Sequence, residues 1–492
     1  MIDPDQFKTP LFDAMVALAE RRKVSFHTPG HKSGKGISTR FRKFVGSKIF
    51  SIDLTTLDEV DSLQKPIGVI KEAQALAAVA YGAERSFFLL NGTTGGNHAM
   101  ILATCTPKDT VLVARNAHKS VLAGLVFSGA QPVFYLPEVD PNLKMTLNVT
   151  YEATVAAIDA CPEAKVLFLT SPNYYGICAD LPRIITYAHQ KGLVVLVDEA
   201  HGPHLKFHPD LPISAMEAGA DIAVQSTHKI IGGMTQASML HAQGQRIDMT
   251  TLAAVLRFVQ STSPSYILMA SLDLARMQMA TEGQKLLDKA IRLAEDARAR
   301  INRIPGLYCF GRIEAANPLF ARMGGLDVTK LTIRVRDLGL SGYEASKILN
   351  LRFHIQVEMA DATNVLVIVS IGDRRDDLNR LVEALREMSK EYHGKATLSA
   401  AIMEAGLPPL GGMARMTPRT AFFSDYQYVP LTSACGTTSA EMVTVYPPGI
   451  PLLMPGEVVT QEVLDYIQTM ERLGATIDGL SAHNTTLAVV KE

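Results

Sequence analysis

Leu193-Val194-Val195-Leu196-Val197-Asp198-Glu199-Ala200-His201 is an unbroken apolar run that ends abruptly in two carboxylates. Five apolar residues without polar alternation fit a strand covered on both faces, the situation inside a parallel sheet wrapped by helices. Similar runs stand at Thr110–Ala114, Gln131–Tyr135, Lys165–Leu169 and Ile222–Gln225, with helical patterns between them. That alternation predicts an α/β fold with a mostly parallel sheet. In such sheets ligands gather beyond the carboxyl ends of the strands, where Asp198 stands. A helix N-cap or a metal ligand would also account for an aspartate at a strand end.

Lys229, 31 residues after Asp198, stands in Gln225-Ser226-Thr227-His228-Lys229-Ile230-Ile231-Gly232-Gly233. It sets one lysine in an apolar, glycine-flanked turn just after a short strand. A lysine whose ammonium loses water has a lowered pKa, and its free amine can attack an aldehyde. Ile230, Ile231 and Met234 are expected to supply the dry wall, Ser226 and His228 groups for a phosphate, and the glycine pair a close backbone approach. Pyridoxal 5'-phosphate is the cofactor this combination suggests, with Lys229 as its covalent anchor. Asp198 would then partner the pyridine nitrogen, which acts as an electron sink only while an anion keeps it protonated. A solvated lysine at a strand end followed by a simple glycine turn fits the same letters.

A third stretch, Phe88-Leu89-Leu90-Asn91-Gly92-Thr93-Thr94-Gly95-Gly96-Asn97-His98-Ala99-Met100, reads as strand, turn and helix start. Backbone N–H groups at a helix N-terminus, with the hydroxyls of Thr93 and Thr94 and the bare backbone of Gly95, suit a dianionic phosphate. The same residue types also serve as an ordinary helix cap. Neither a Walker A lysine pattern nor a GxGxxG fingerprint follows a strand here.

Together these stretches resemble the ornithine/lysine/arginine decarboxylases of the aspartate aminotransferase fold. The resemblance runs through Val224–Ser238 around Lys229, His27-Thr28-Pro29-Gly30-His31-Lys32, Asp53–Asp61, Asn91–Thr94, and Arg115-Asn116-Ala117-His118-Lys119-Ser120. It continues through Asp198–His201, Ser261-Thr262-Ser263-Pro264, Val357-Glu358, Tyr446-Pro447-Pro448-Gly449-Ile450-Pro451 and Pro455-Gly456-Glu457. It implies a fold type I large domain with a mainly parallel seven-stranded sheet over residues 1–270, a smaller α/β domain over 271–388, and a C-terminal α+β domain over 389–492. It implies that His118 stacks on the cofactor ring, that His201 lines the cofactor pocket, that Thr262 reaches the phosphate of a neighbouring subunit, and that Glu358 meets the cationic tail of the substrate. The implied reaction is decarboxylation of a basic amino acid. Lys229 is displaced by the substrate, CO₂ leaves, and His228 or Lys229 returns a proton to Cα. Because the His27 block stands so near the start, a short form without an N-terminal receiver-like domain is expected. Arginine is the favoured substrate, giving agmatine for polyamine biosynthesis, with lysine to cadaverine and ornithine to putrescine as alternatives. Asp425, Glu441 and Glu457 are further acidic candidates for the substrate tail.

Composition bounds the remaining classes. The chain has 492 residues, 47% hydrophobic, and a net charge of −1, which gives no electrostatic footprint for nucleic acid. No apolar run approaches membrane-spanning length, and five cysteines without paired spacing fit a reducing, cytoplasmic setting. His201, His204 and His208 near Asp198 raise a zinc reading, but no HExxH is present and Pro203 interrupts any helix presenting His201 and His204 together. No metal is expected. An aminotransferase would keep Asp198 and Lys229 but add an arginine clamp, and a non-catalytic cofactor-binding regulator would turn over no amino acid. The expected assembly is a homodimer or a higher symmetric oligomer. Downstream, Met269–Arg303 reads as one long helix, Leu331–Val335 and Val365–Val369 as strands around a Tyr343–Leu351 helix, and Pro408–Pro455 as a proline- and glycine-dense region packed near the site.

Overall fold

The computed structural model describes residues 3–21, 23–311, 320–395, 408–409, 412–446, 449–481 and 483–491. Seven strands form its central sheet, in the spatial order Arg85–Leu89, Ser238–Ala242, Ile222–Gln225, Val194–Asp198, Ala164–Thr170, Thr110–Ala114, Gln131–Tyr135. The last five of these run parallel to their neighbours, while Ser238–Ala242 is antiparallel to both strands beside it. The apolar run of the central strand has its expected cause. Leu196 packs with Met100, Val121 and Leu125 on one face, and Val195 and Val197 pack with Ile184, Ile185 and Ala188 on the other. Asp198 ends this strand opposite Thr170 on one side and Val224 on the other. Thus the carboxylate and the Lys229 turn emerge at the same edge.

Two glycines decide how closely the helices approach that edge. A Cβ on Gly96 would lie 2.5 Å from Val224 Cγ1 and 2.7 Å from Leu89 Cδ1, so the helix Gly92–Thr104 can rest on the sheet only with glycine there. A Cβ on Gly124 would lie 2.8 Å from Ile101 Cδ1, which ties the helix Lys119–Ser128 to the first helix in the same manner. Close packing of this kind leaves no slack for even one methyl group.

The helix Tyr266–Ile301 has 36 residues and begins three residues before the expected stretch, because Ser265 caps it through the Leu268 N–H. It leads to a four-stranded antiparallel sheet, Tyr308–Cys309, Lys330–Arg334, Asn364–Ile368 and Met359–Ala360. Against that sheet lies the helix Gly342–Phe353, started by a Ser341/Glu344 capping box. Towards the C-terminus, Tyr426–Pro430 pairs with Thr486–Val490, and Val443–Tyr446 lies between Ile450–Leu453 and Thr476–Asp478. Pro447 and Pro448 of the Tyr446–Pro451 block lie outside the described residues. No helix among the described residues is long and apolar enough to cross a membrane.

Arg115 joins the C-terminal part to the large sheet. Its guanidinium donates to the carbonyls of Pro451 and Leu452 and to Glu457 Oε2, the last at 3.2 Å. Glu457 also accepts from the Met454 N–H at 2.8 Å. Both members of the pair are buried. Glu457 is therefore committed to Arg115 and is not free to receive a substrate, contrary to its place among the acidic candidates. A buried pair is costly to break because the surviving charge stays desolvated. Replacing Glu457 by leucine should lower unfolding stability in urea by about 3–5 kcal/mol, and adding Arg115→Met should recover a large part of that loss.

Candidate active site

Lys229 lies in the one-turn helix Thr227–Ile230 that follows the strand Ile222–Gln225. Its Nζ is 2.9 Å from His201 Nε2 and 5.7 Å from the centre of the Tyr174 ring. Tyr174 and His201 pack ring to ring at 4.8 Å. Burial pushes the Lys229 ammonium below its ordinary pKa, against the opposing pull of Asp198 and Glu358. Burial also holds His201 well below its usual value, so the imidazole beside the lysine is neutral. The dry wall comprises Ile230 and Ile231, both buried, whereas Met234 is exposed and does not belong to it. The glycine pair also has another cause than the one expected. A Cβ on Gly233 would lie 2.9 Å from Thr227 Cγ2, so glycine there serves the return of the chain over its own turn.

Around Asp198 the polar groups are tightly connected. Asp198 Oδ1 accepts from the Ala200 N–H at 3.0 Å, and Oδ2 accepts from Asn97 Nδ2 at 2.8 Å. Asn97 Nδ2 also donates to Ser120 Oγ at 2.9 Å, and Ser120 Oγ lies 2.8 Å from His118 Nδ1. His118 caps the helix Lys119–Ser128 by accepting the Ser120 N–H. Burial pushes its pKa down to about 4, with Asp198 opposing and Lys229 and Lys119 adding to the shift. Asn97 and Ser120 were not legible as site residues. A lone asparagine in a helical pattern and a serine after a lysine carry no signal until the helices are placed.

Thr93 Oγ1 and Ser226 Oγ lie 3.2 Å apart, joining the first turn of the helix Gly92–Thr104 to the cap of the Lys229 turn. Thr94 occupies the same first turn, where its backbone N–H and that of Thr93 have no intrahelical acceptor, whereas the Gly95 N–H already donates to the Asn91 carbonyl at 3.1 Å. His228 Nδ1 donates to the Ala237 carbonyl at 3.1 Å, and burial lowers its pKa. Its proton is therefore on Nδ1, and Nε2 is an acceptor. Glu358 is exposed in the chain, yet its charge reaches Lys229, His228 and Lys330. Thr262 is exposed in the loop before the long helix. Asp425 is exposed beside the strand Tyr426–Pro430, and Glu441 is half-buried with its carboxylate 3.3 Å from the Met442 N–H.

The three histidines of the zinc reading have separate partners. His201 meets Lys229, His204 Nε2 is 3.1 Å from Asp327, and His208 Nε2 is 3.1 Å from Asp288. No group of three metal-ligating side chains is found among the described residues. A desolvated lysine, a buried carboxylate and an orphan-rich helix start bearing two hydroxyls are the groups that pyridoxal 5'-phosphate requires for its aldehyde, its ring nitrogen and its phosphate.

The family described as "Orn/Lys/Arg decarboxylase, major domain" matches residues 9–377, and its C-terminal domain matches residues 412–487. The arginine decarboxylase of Bacillus subtilis is 42% identical over 487 residues, covering 99% of this chain and 98% of its own. That of Halalkalibacterium halodurans is 43% identical over 488 residues, again with 99% and 98% covered. The crystal structure of the Francisella novicida lysine decarboxylase superposes with a TM-score of 0.86 at 24% identity, covering 99% of this chain and 82% of that one. The alanine–glyoxylate aminotransferase of Nostoc sp. shares the fold more distantly, with a TM-score of 0.53 at 17% identity over 66% of this chain and 88% of that one.

The electrostatics of Lys229 set a pH dependence. Capture of pyridoxal phosphate by the apoprotein needs the free amine, so its rate should rise with pH through a midpoint below the ordinary lysine value of 10.5. Glu358 acts in the opposite direction, and Glu358→Gln should move that midpoint lower still. Absorbance after mixing apoprotein with cofactor across a pH series measures both.

Proposed function

The chain belongs to the Orn/Lys/Arg decarboxylase family, whose cofactor is pyridoxal 5'-phosphate, and we propose that its reaction is the decarboxylation of L-arginine to agmatine and CO₂. Support for the substrate comes from the arginine decarboxylases of 41–43% identity that align over almost the whole chain. The observation that carries the chemistry is the desolvated Lys229 beside the buried Asp198 at one sheet edge.

Bound at this edge, pyridoxal phosphate supplies an electron sink for the pair left behind when CO₂ departs. Lys229 would hold the cofactor's aldehyde carbon, Asp198 would be the anion that keeps the pyridine nitrogen protonated, and His118 would pack against the ring. Thr93, Thr94, Gly95 and Ser226 receive the phosphate, and His201 stays beside the Lys229 nitrogen. Glu358 meets the guanidinium, for which a carboxylate offers bidentate acceptors. Lys229 would hold the proton that replaces CO₂ on Cα, since the hydrogen of His228 is engaged with the Ala237 carbonyl. Each turnover consumes one proton.

We place the active sites at a homodimer interface, where Thr262 of one subunit reaches the phosphate held by the other. Phe26, Phe44 and Phe258 are exposed by 92%, 90% and 88%, which suits surfaces covered by a second copy. The five cysteines are all free, which suits a reducing cytoplasm.

Purified enzyme with pyridoxal phosphate should release CO₂ from arginine in preference to lysine and ornithine, and Lys229→Ala should release none. Preference for lysine or ornithine would reassign the substrate. Glu358→Gln should raise KM for arginine roughly 10- to 100-fold with a smaller change in kcat, the loss expected for one charge-assisted contact.

A further inference from the structure

Asn97 is fully buried where the helices Gly92–Thr104 and Lys119–Ser128 meet the sheet. Its amide nitrogen spends both hydrogens, one on Asp198 Oδ2 at 2.8 Å and one on Ser120 Oγ at 2.9 Å. The orientation of this amide is fixed, because turning it over would set its oxygen against the Asp198 carboxylate, acceptor against acceptor. Asn97 Oδ1 is left buried without a hydrogen bond in the protein. An unpaired buried oxygen costs stability, and the two donations are what it brings in return. The chain of bonds has one direction. Ser120 Oγ accepts from Asn97 and therefore turns its own hydrogen to His118 Nδ1, which also takes the Ser120 N–H at 3.2 Å. A ring nitrogen receiving two donors carries no proton, so His118 is neutral with its hydrogen on Nε2.

We propose that Asn97 is a positioning residue of the cofactor site, coupling the anion that faces the pyridine nitrogen to the imidazole that lies on the ring and keeping that imidazole neutral. This rests on the reading above of which residues meet the ring. Neutrality matters because a protonated imidazole against a ring with a protonated nitrogen would set two cations face to face. The groups that bear on His118 are Asp198, which favours its protonation, Lys229 and Lys119, which oppose it, and His201, whose own protonation a charged His118 disfavours. Gly96 and Gly124 belong to the same device. A Cβ on either would press on the contacts that seat these helices, with Val224 Cγ1 2.5 Å from one on Gly96 and Ile101 Cδ1 2.8 Å from one on Gly124.

The test compares wild type, Asn97→Leu, Ser120→Ala and the double variant. It reads pyridoxal-phosphate affinity by equilibrium dialysis and the acid-side pH midpoint of the bound cofactor's absorbance. Asn97→Leu should weaken affinity about 10- to 100-fold, the loss of a charge-assisted donor, and raise the midpoint by about half a unit or more. Ser120→Ala should weaken affinity by less than about tenfold and raise the midpoint too, since the imidazole loses one donor. The double variant should resemble Asn97→Leu alone, because Ser120 acts through the same amide. Additive losses, or an Asn97→Leu midpoint equal to wild type, would overturn the proposal. If Asn97→Leu does not fold, Ser120→Ala decides, and an unchanged midpoint there sinks the idea. Wild-type CO₂ release is assayed alongside. An enzyme that binds the cofactor but leaves arginine intact refutes the substrate assignment, while affinities and midpoints still score Asn97.

Discussion

A carboxylate held at the end of a strand that is shut off from water on both faces is the constraint on which the rest of this structure depends. Asp198 cannot be left alone there, since a buried charge without partners is far costlier than the packing around it can offset. It has the Ala200 N–H and the Asn97 amide. To deliver that amide the helix Gly92–Thr104 must lie against the sheet, and only a glycine at position 96 lets it do so. The sheet thus imposes a helix position, the helix position places the first turn that bears Thr93 and Thr94, and the next helix follows through Gly124. A site that looks like a collection of loops is fixed by backbone packing.

How much of this was legible depended on whether the signal was local. Strands Thr110–Ala114 and Ile222–Gln225 fall where their apolar runs place them, because a strand buried on both faces leaves no ambiguity of period, and the partly exposed edge strand Gln131–Tyr135 falls in its expected place as well. The central strand is one residue later than its apolar run, ending on Asp198 itself. The positions of Lys229 and Asp198 at one edge follow from a single helix-and-strand interval. Partnerships across long separations were not readable. Arg115 and Glu457 are 342 residues apart, and Glu457 looked available as an acid until its partner was in view. Met234 sits in an apolar context in the sequence, yet lies on the outside of its turn. Asn97 carries its meaning only through two neighbours supplied by other elements.

The Arg115–Glu457 pair also explains why the block Arg115–Ser120 holds together as a motif. Its first residue reaches the C-terminal segment, and the backbone N–H of Lys119 meets the Gly449 carbonyl at 3.2 Å. Between them stands His118. The imidazole is therefore fixed from two sides, by Ser120 within its own helix cap and by a C-terminal segment clamped to the residues around it. A displacement of that segment would be felt at the cofactor site without any contact between the two.

Behind His201 the same economy of charge continues. Lys330 is buried with no hydrogen bond to its Nζ, and burial pushes its pKa down to about 8, with Lys229 lowering it further and Asp327 and Glu358 opposing. Asp327 lies 3.1 Å from His204, so one carboxylate faces two basic groups. Lys229 and Lys330 share this low-dielectric region, and each makes protonation of the other less favourable. Burial is what lowers the Lys229 amine, the group that must attack an aldehyde, and its charge in turn lowers Lys330. Glu358 opposes both lysines, which links the carboxylate at the mouth of the site to the protonation of the lysine at its base. A cationic group arriving at Glu358 cancels that opposition.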